Sequence, residues 1–324
     1  NGELSDLATG AGIDDWAGAL GEMEAETGLP LAPDQRAAFA AAVATPTLWA
    51  LQGPPGTGKT VTAAYVAEAL ARVGEHRLVV TALSHEAVNR LLHEIHGHFP
   101  DRMVVKVAST LREPAGQGIR TVTPQQLMAQ KLLRKKPILG MTVHTALLMA
   151  TVYGLRSDVV IVDEASQVPL AYGAQLGLLG YSVLLLGDPA QLNAIFPGAA
   201  AAQPLACSLL ERAAASYPLQ HLTLTYRLNG QLTDLVGSVF YPDGEGRSSL
   251  APAAGAAARR LAVMRRDLDP WAEAVLDPEH SAVWVRTAEY GRRQSSSREA
   301  DLVVRLVERL QADGICGREV GVVT

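Results

Sequence analysis

Short unbroken apolar runs alternate with stretches in which apolar residues return every three or four positions, and this alternation organises most of the chain. Runs such as Leu48-Trp49-Ala50-Leu51 and Val159-Val160-Ile161-Val162 read as buried strands. In order, the pattern predicts a helix over 33–43, strand 48–52, helix 59–73, strand 78–82, helix 85–97 and strand 103–107. After a variable segment, 108–137, it predicts strand 138–143, helix 145–152, strand 158–163, helix 168–178 and strand 181–187. Strands and helices alternating at this spacing imply right-handed crossovers and a parallel sheet covered on both faces, an α/β fold.

Upstream, Leu4, Leu7, Ile13, Trp16, Leu20 and Met23 recur at helical spacing, which predicts one or two short helices in a 1–30 lead-in packed on the main body. Downstream, from about residue 205, the pattern gives helix 207–215, strand 221–225, helix 229–239 and a loose Ala/Pro/Gly-rich stretch over 241–258. Strands near 260–264 and 282–287, helix 298–313 and strand 319–324 follow. This region reads as a second α/β lobe that is only partly present. The low-complexity residues 249–258 are expected in a surface loop.

Composition narrows the classes. A chain of 324 residues, 48% hydrophobic, has material for two domains with buried cores. Its net charge of −5 argues against a broadly basic nucleic-acid-coating protein and leaves room for a local basic groove. Cys207 and Cys316 alone support neither a disulfide framework nor a four-cysteine metal site. No run approaches the ~18 apolar residues of a membrane span, and Asn1-Gly2-Glu3-Leu4-Ser5 lacks the basic start of a signal peptide, so the expected location is a reducing cytoplasm. Lacking an initiating methionine and ending in Val320-Gly321-Val322-Val323-Thr324, the chain reads as a piece of a longer protein.

The candidate chemistry begins directly after the 48–52 strand. Gly53-Pro54-Pro55-Gly56-Thr57-Gly58-Lys59-Thr60 matches a phosphate-binding loop, set between a predicted strand and a predicted helix. Its glycines let backbone N–H groups wrap a polyphosphate at the positive end of a helix dipole. Lys59 is expected to reach the β- and γ-phosphates of a nucleoside triphosphate, and Thr60 with Asp163 to hold Mg²⁺. Glu164, one residue beyond that aspartate at the end of an apolar strand, is the natural base for an attacking water.

Further segments stand in a fixed order around this pair: Leu31 to Ala38 with Gln35, Val80 to Asn89 with Ser84 and His85, and Gly140-Met141-Thr142-Val143. Asp163-Glu164-Ala165-Ser166-Gln167, Leu185 to Leu192 with Gln191, and Leu222 to Asn229 with Arg227 complete the series, the last followed by Phe240-Tyr241. Together with the phosphate loop they resemble the superfamily 1B helicases, in the branch of the nonsense-mediated-decay RNA helicase and the replication helicase-nucleases. The resemblance covers residues 31–324 and implies RecA-like lobes: lobe 1 complete over 31–204, lobe 2 partial over 205–324. It also implies that Gln35 reads the adenine edge, Gln191 senses the γ-phosphate, Arg227 is an arginine finger, and Ser84, His85 and Thr142 contact a nucleic-acid strand. His85 departs from the asparagine usual at its position, and the family's motifs V and VI are not in this sequence.

The activity so implied is ATP-driven translocation on single-stranded DNA or RNA with unwinding, 5′ to 3′ and with DNA slightly favoured. A fused or associated nuclease is a possible companion, and the fragment is expected to hydrolyse ATP weakly. The alternative is a nucleotide-gated binding module that does not unwind. A small-molecule kinase is disfavoured because no acceptor-binding aspartate pair is recognisable. His93, His96 and His98 lack the partners of a metal site and read as solvated helix-end residues. The basic run Lys131 to Lys136 is a weaker candidate for phosphate contact, and the arginine pairs 259–260, 265–266 and 292–293 are weaker still.

Overall fold

A computed structural model describes residues 13–45, 47–110, 114–116, 118–130, 132–196, 205–261, 270–286 and 296–323. The chain forms two compact units, one ending at Tyr226 and one beginning at Arg227. In the first, the elements run α1 (Ile13–Thr27), α2 (Pro33–Val43), β1 (Leu48–Gln52), α3 (Lys59–Arg72), β2 (Leu78–Ala82), α4 (His85–His98) and β3 (Val104–Val107). They continue through β4 (Arg120–Val122), α5 (Pro124–Ala129), β5 (Ile138–Thr142), α6 (Val143–Thr151), β6 (Ser157–Val162), α7 (Gly173–Leu179), β7 (Gly180–Gly187), α8 (Leu209–Ala214) and β8 (Gln220–His221).

The eight strands form one sheet in the order β4-β3-β5-β2-β6-β7-β1-β8, and the pairings are parallel. Because side chains alternate across a strand, each central strand feeds two cores. Leu51, Val80, Ile161 and Leu186 join one cluster with Met23, Phe39, Tyr65 and Leu91 of α1 to α4. Ala50, Val79, Val160 and Leu185 join the other with Leu127, Met149, Leu176 and Leu210 of α5 to α8. The sheet thus carries helices on both faces, the RecA-like α/β arrangement.

Small residues bring α3 close to the sheet: Ala63, Ala64, Ala67 and Ala69 are buried along it. The same helix buries the Glu68 carboxylate, which accepts hydrogen bonds from Arg102 Nε at 2.6 Å, Arg102 Nη2 at 2.8 Å and Arg72 Nε at 2.9 Å. That charge is therefore paired and hydrogen-bonded, the condition for tolerating its burial. No helix among the described residues is long and apolar enough to cross a membrane.

Several sequence expectations change. The segment 108–137 contains β4, α5 and a short 3₁₀ turn at Leu132–Lys135; β4 is three residues with an exposed Arg120, too short to carry a period. The expected 221–225 strand breaks at Thr223 because the amides of Thr223 and Leu224 donate to Asp34 Oδ2 at 2.7 and 3.2 Å instead of joining the sheet. Helix 168–178 starts late: a 3₁₀ turn over Leu170–Tyr172 precedes α7. The compact units divide between Tyr226 and Arg227. The physical reason is pairing: Leu51 and Gln52 of β1 pair with Gln220 and His221, while buried Leu222 joins the first core.

In the second unit the described helices are α9 (Gly230–Phe240), α10 (Ala254–Ala257), α11 (Pro270–Val275) and α12 (Ser297–Ala312). Residues 281–286 and 320–323 carry no strand, although strands were expected over 282–287 and 319–324. The expected 260–264 strand falls mostly on 262–269, outside the described residues, as do Leu4, Leu7, Lys131 and the arginines at 265–266 and 292–293.

Candidate active site

The phosphate loop leaves β1 at Gly53, whose N–H donates to Gly187 O at 3.0 Å and so ties the loop to the end of β7. A Cβ on Gly53 would lie 2.9 Å from Lys59 Cβ and 3.2 Å from Thr57 Oγ1, so a side chain there would displace the lysine. Pro54 O accepts from Thr57 Oγ1 at 2.8 Å, which closes the turn across Pro55 and Gly56. Gly58 is the N-cap of α3 with φ +78°, a conformation that disfavours other residues, and it offers no side-chain cap. The first amides of α3 are left to serve a ligand, an anion site by construction.

Lys59 and the acidic pair meet at the C-terminal edge of the sheet. Lys59 Nζ is 3.7 Å from Glu164 Oε2. Asp163, 1% exposed, is held at the end of β6 by its N–H on Thr81 O at 2.8 Å. Burial pushes its carboxyl above the usual range, with the charges of Lys59 and Arg90 working against that rise. Glu164 takes a positive φ of 52° and donates its N–H to Asp163 Oδ1 at 2.9 Å. A non-glycine residue in this region stores strain of about 1 kcal/mol or more, a cost typical of functional positions. Carboxylate oxygens are hard donors of the kind that suits Mg²⁺, and the cations drawn to Asp163 and Glu164 attest to the negative potential there.

Arg90 was not singled out in the sequence. Its Nη2 lies 2.7 Å from Glu164 Oε1 and 3.4 Å from Asp163 Oδ2. Burial lowers the guanidinium's affinity for its proton, but the two carboxylates outweigh that and hold it above its ordinary value. The residue stands one position beyond the quoted 80–89 segment. Its proximity to the acidic pair depends on β2 lying beside β6, a sheet order that sequence does not give.

Gln191 lies in the turn after β7, where its Nε2 donates to Asp188 Oδ2 at 2.7 Å. Buried Asp188 also accepts from Gln52 Nε2 at 3.2 Å, so a hydrogen-bonded chain links Gln191 to the strand that enters the phosphate loop. Gln35, 4% exposed, turns its amide onto the protein: Nε2 donates to Thr57 O at 3.1 Å and Oε1 accepts from Ala32 N at 2.9 Å. It braces the loop in this arrangement. The 223–226 segment seals the other side: Thr225 Oγ1 donates to Pro55 O at 2.9 Å and Tyr226 N to Gly56 O at 2.8 Å. Asp34 and Tyr226 are thus parts of the site that residue spacing alone did not mark, and Arg227 opens the second unit.

Ser84, His85 and Thr142 also sit at the C-terminal edge, at the starts of α4 and α6. Exposed Ser84 caps α4 by accepting from Ala87 N at 3.1 Å. Thr142 is 5% exposed and commits its hydroxyl to Thr145, whose N–H lies at 3.4 Å and Oγ1 at 3.2 Å. The described part of the basic run, 132–136, precedes β5 and so occupies the opposite edge, away from the phosphate loop. Lys136 there pairs with Glu75 at 2.9 Å. His93 meets Ala115 O at 2.7 Å and His98 meets Glu94 at 2.9 Å.

The family model described as AAA domain matches residues 35–197, half of the chain and all of the phosphate loop, acidic pair and Gln191 turn. The chain is similar to the DNA replication ATP-dependent helicase/nuclease JHS1 of Arabidopsis thaliana, 25% identical over 308 residues that cover 90% of this chain and 22% of that protein. It is also similar to the ATP-dependent helicase NAM7 of Saccharomyces cerevisiae, 24% identical over 330 residues covering 85% of this chain and 31% of that protein. The chain spans less than a third of the length of either relative. Among solved structures, one described as a complex of Arterivirus nonstructural protein 10 (helicase) with DNA aligns with 19% identity and a TM-score of 0.42, over 68% of this chain and 44% of that one. By its matched domain, its motif order and the site those motifs build, the chain belongs to the AAA domain family, in the superfamily 1 helicase branch of the nonsense-mediated-decay and replication helicase-nucleases.

Proposed function

We propose that this chain is the ATP-hydrolysing part of a motor that translocates on single-stranded nucleic acid, 5′ to 3′, and unwinds duplexes. The observation that carries this reading is the meeting of the phosphate loop, Lys59 and the Asp163–Glu164 pair at one edge of the sheet, with Lys59 Nζ 3.7 Å from Glu164. The loop amides and Lys59 bind the phosphates. Thr60 and Asp163 are the residues to hold Mg²⁺, which when bound neutralises charge on the β- and γ-phosphates. Glu164 takes the proton of the water that attacks the γ-phosphorus, and the bond to the ADP oxygen breaks. Gln191 senses the γ-phosphate, Gln35 contributes to the adenine side, and Arg227 supplies positive charge to the transferring group.

The strand is proposed to run over the edge that carries Ser84, His85 and Thr142, held through phosphate and sugar. Binding of that kind is largely indifferent to sequence and weakens with salt. DNA is the favoured track, and a nuclease joined to the motor is the arrangement that the Arabidopsis relative's name describes. The test is strand displacement by the complete protein on duplexes with a 5′ or a 3′ single-stranded overhang. Displacement from the 5′ overhang alone supports the reading. ATP-dependent strand binding with no displacement on either substrate would turn it toward a nucleotide-gated binding module.

A further inference from the structure

We propose that Arg90 is a positioning residue that links α4 to the chemistry: it holds one oxygen of Glu164 while leaving the other to act as base, and it competes with the divalent cation for Asp163. The inference rests on the ATPase reading above. One guanidinium nitrogen, Nη2, reaches both carboxylates, at 2.7 Å to Glu164 Oε1 and 3.4 Å to Asp163 Oδ2. Lys59 takes the other oxygen of Glu164, Oε2, at 3.7 Å. Glu164 is therefore held between two cations, one on each oxygen.

The two cations have different fates when nucleotide arrives. Lys59 belongs to the phosphate loop and is drawn to the β- and γ-phosphates, which frees Oε2. Arg90 comes from α4 and has no phosphate to follow, so it stays on Oε1 and fixes the rotation of the carboxylate. Oε2 is then the oxygen that accepts the proton. At Asp163 the guanidinium occupies the same negative site that a divalent cation needs, so Arg90 must release Oδ2 for that cation to bind.

The position of Arg90 on its helix gives the arrangement a second consequence. Ser84 caps α4 and His85 is its first residue, so Arg90 lies on the same rigid element as the proposed strand contacts, between one and two turns along it. Its side chain is half exposed. A strand that moves the start of α4 moves Arg90 against Glu164, which makes hydrolysis responsive to the track.

The experiment compares the complete wild-type chain with Arg90→Ala, Arg90→Lys and Lys59→Ala. Binding of a fluorescent ADP is titrated with Mg²⁺, and steady-state ATPase is measured with and without single-stranded DNA. Arg90→Ala is expected to lower the Mg²⁺ concentration for half-maximal binding about threefold or more and to reduce kcat at least about tenfold with little change in KM. DNA stimulation is expected to disappear in that variant, and Arg90→Lys is expected to restore part of kcat. An unchanged Mg²⁺ midpoint together with wild-type kcat and stimulation in Arg90→Ala would overturn the proposal. The two readings fail separately: a wild-type chain with no Lys59-dependent hydrolysis defeats the ATPase reading, whereas the Mg²⁺ midpoint reports on Arg90 without turnover. Should Arg90→Ala melt well below wild type, the Arg90→Lys midpoint and kcat decide.

Discussion

Replacing Gly58 by alanine perturbs the phosphate loop at the point where backbone and side-chain constraints coincide. Gly58 has φ +78°, so an alanine pays about 1 kcal/mol for the left-handed conformation. Its new Cβ would also run into Gln35 Nε2. Relief requires the buried amide to leave Thr57 O, at 3.1 Å, and Ala32 N, at 2.9 Å; each lost hydrogen bond costs about 1 kcal/mol. The sum is about 3 kcal/mol, equivalent to a melting shift of roughly 6–12 °C for a unit of this size. Urea unfolding measures it, with Gly177→Ala as the control: nothing lies within 4 Å of that Cβ, and a helical glycine gains ~0.5–1 kcal/mol on becoming alanine. A double-mutant cycle isolates the collision. Gln35→Ala removes the obstructing amide, so the double mutant should fall short of additivity by about 1–2 kcal/mol. A Gly58→Ala loss below about 0.5 kcal/mol, or full additivity with Gln35→Ala, would refute the brace between Gln35 and the loop.

Other outcomes follow from the same geometry. Glu164→Gln keeps nucleotide binding and lowers kcat by about 10²-fold or more, as measured by steady-state phosphate release; wild-type turnover would remove Glu164 as the base. Glu68→Ala leaves Arg72 and Arg102 without their shared carboxylate and costs about 2–3 kcal/mol in urea unfolding, because one partner of a buried pair is lost. Asp158 receives Arg77 through the backbone N–H at 2.7 Å and through the guanidinium at 3.1 Å. Burial would raise its carboxyl, but those contacts outweigh burial and set it below its ordinary value. A depressed carboxylate stabilises the fold above the unfolded-state value near ~3.9, and that stability is lost as pH falls through the folded value. Asp158→Asn therefore costs about 1 kcal/mol at neutral pH, discounted for the exposed Arg77, and close to nothing in strong acid. A deficit that stays constant in unfolding curves from pH 7 to pH 3 would contradict this.

The central strands and the phosphate loop were legible because their signals are local. β1 and β6 carry the unbroken apolar runs Leu48–Leu51 and Val159–Val162, and Gly53 to Thr60 is recognisable from glycine and lysine spacing alone. The order of the strands was not legible, since parallel crossovers of similar length fit several sheets. Arg90 was missed for that reason: only the β2–β6 pairing brings α4 to the acidic pair. Gln220 and His221 form a two-residue strand, polar and without periodicity, whose membership of the sheet comes from its partner β1 and could not be read from the sequence. The hydrogen bonds of the buried Gln35 amide to Thr57 and Ala32 are tertiary contacts that its spacing from the loop does not reveal. The basic run at 132–136 shows the converse: a charge cluster is visible in sequence, but which edge of the sheet it occupies is set by the topology.

The most direct measurement is Mg²⁺-dependent ATP hydrolysis by the complete protein, with and without single-stranded DNA or RNA, at low and moderate salt. A Lys59-dependent rate that rises with one polymer and loses that rise as salt increases is the expected result, and it names the track. Hydrolysis indifferent to both polymers at every salt concentration would contradict the motor.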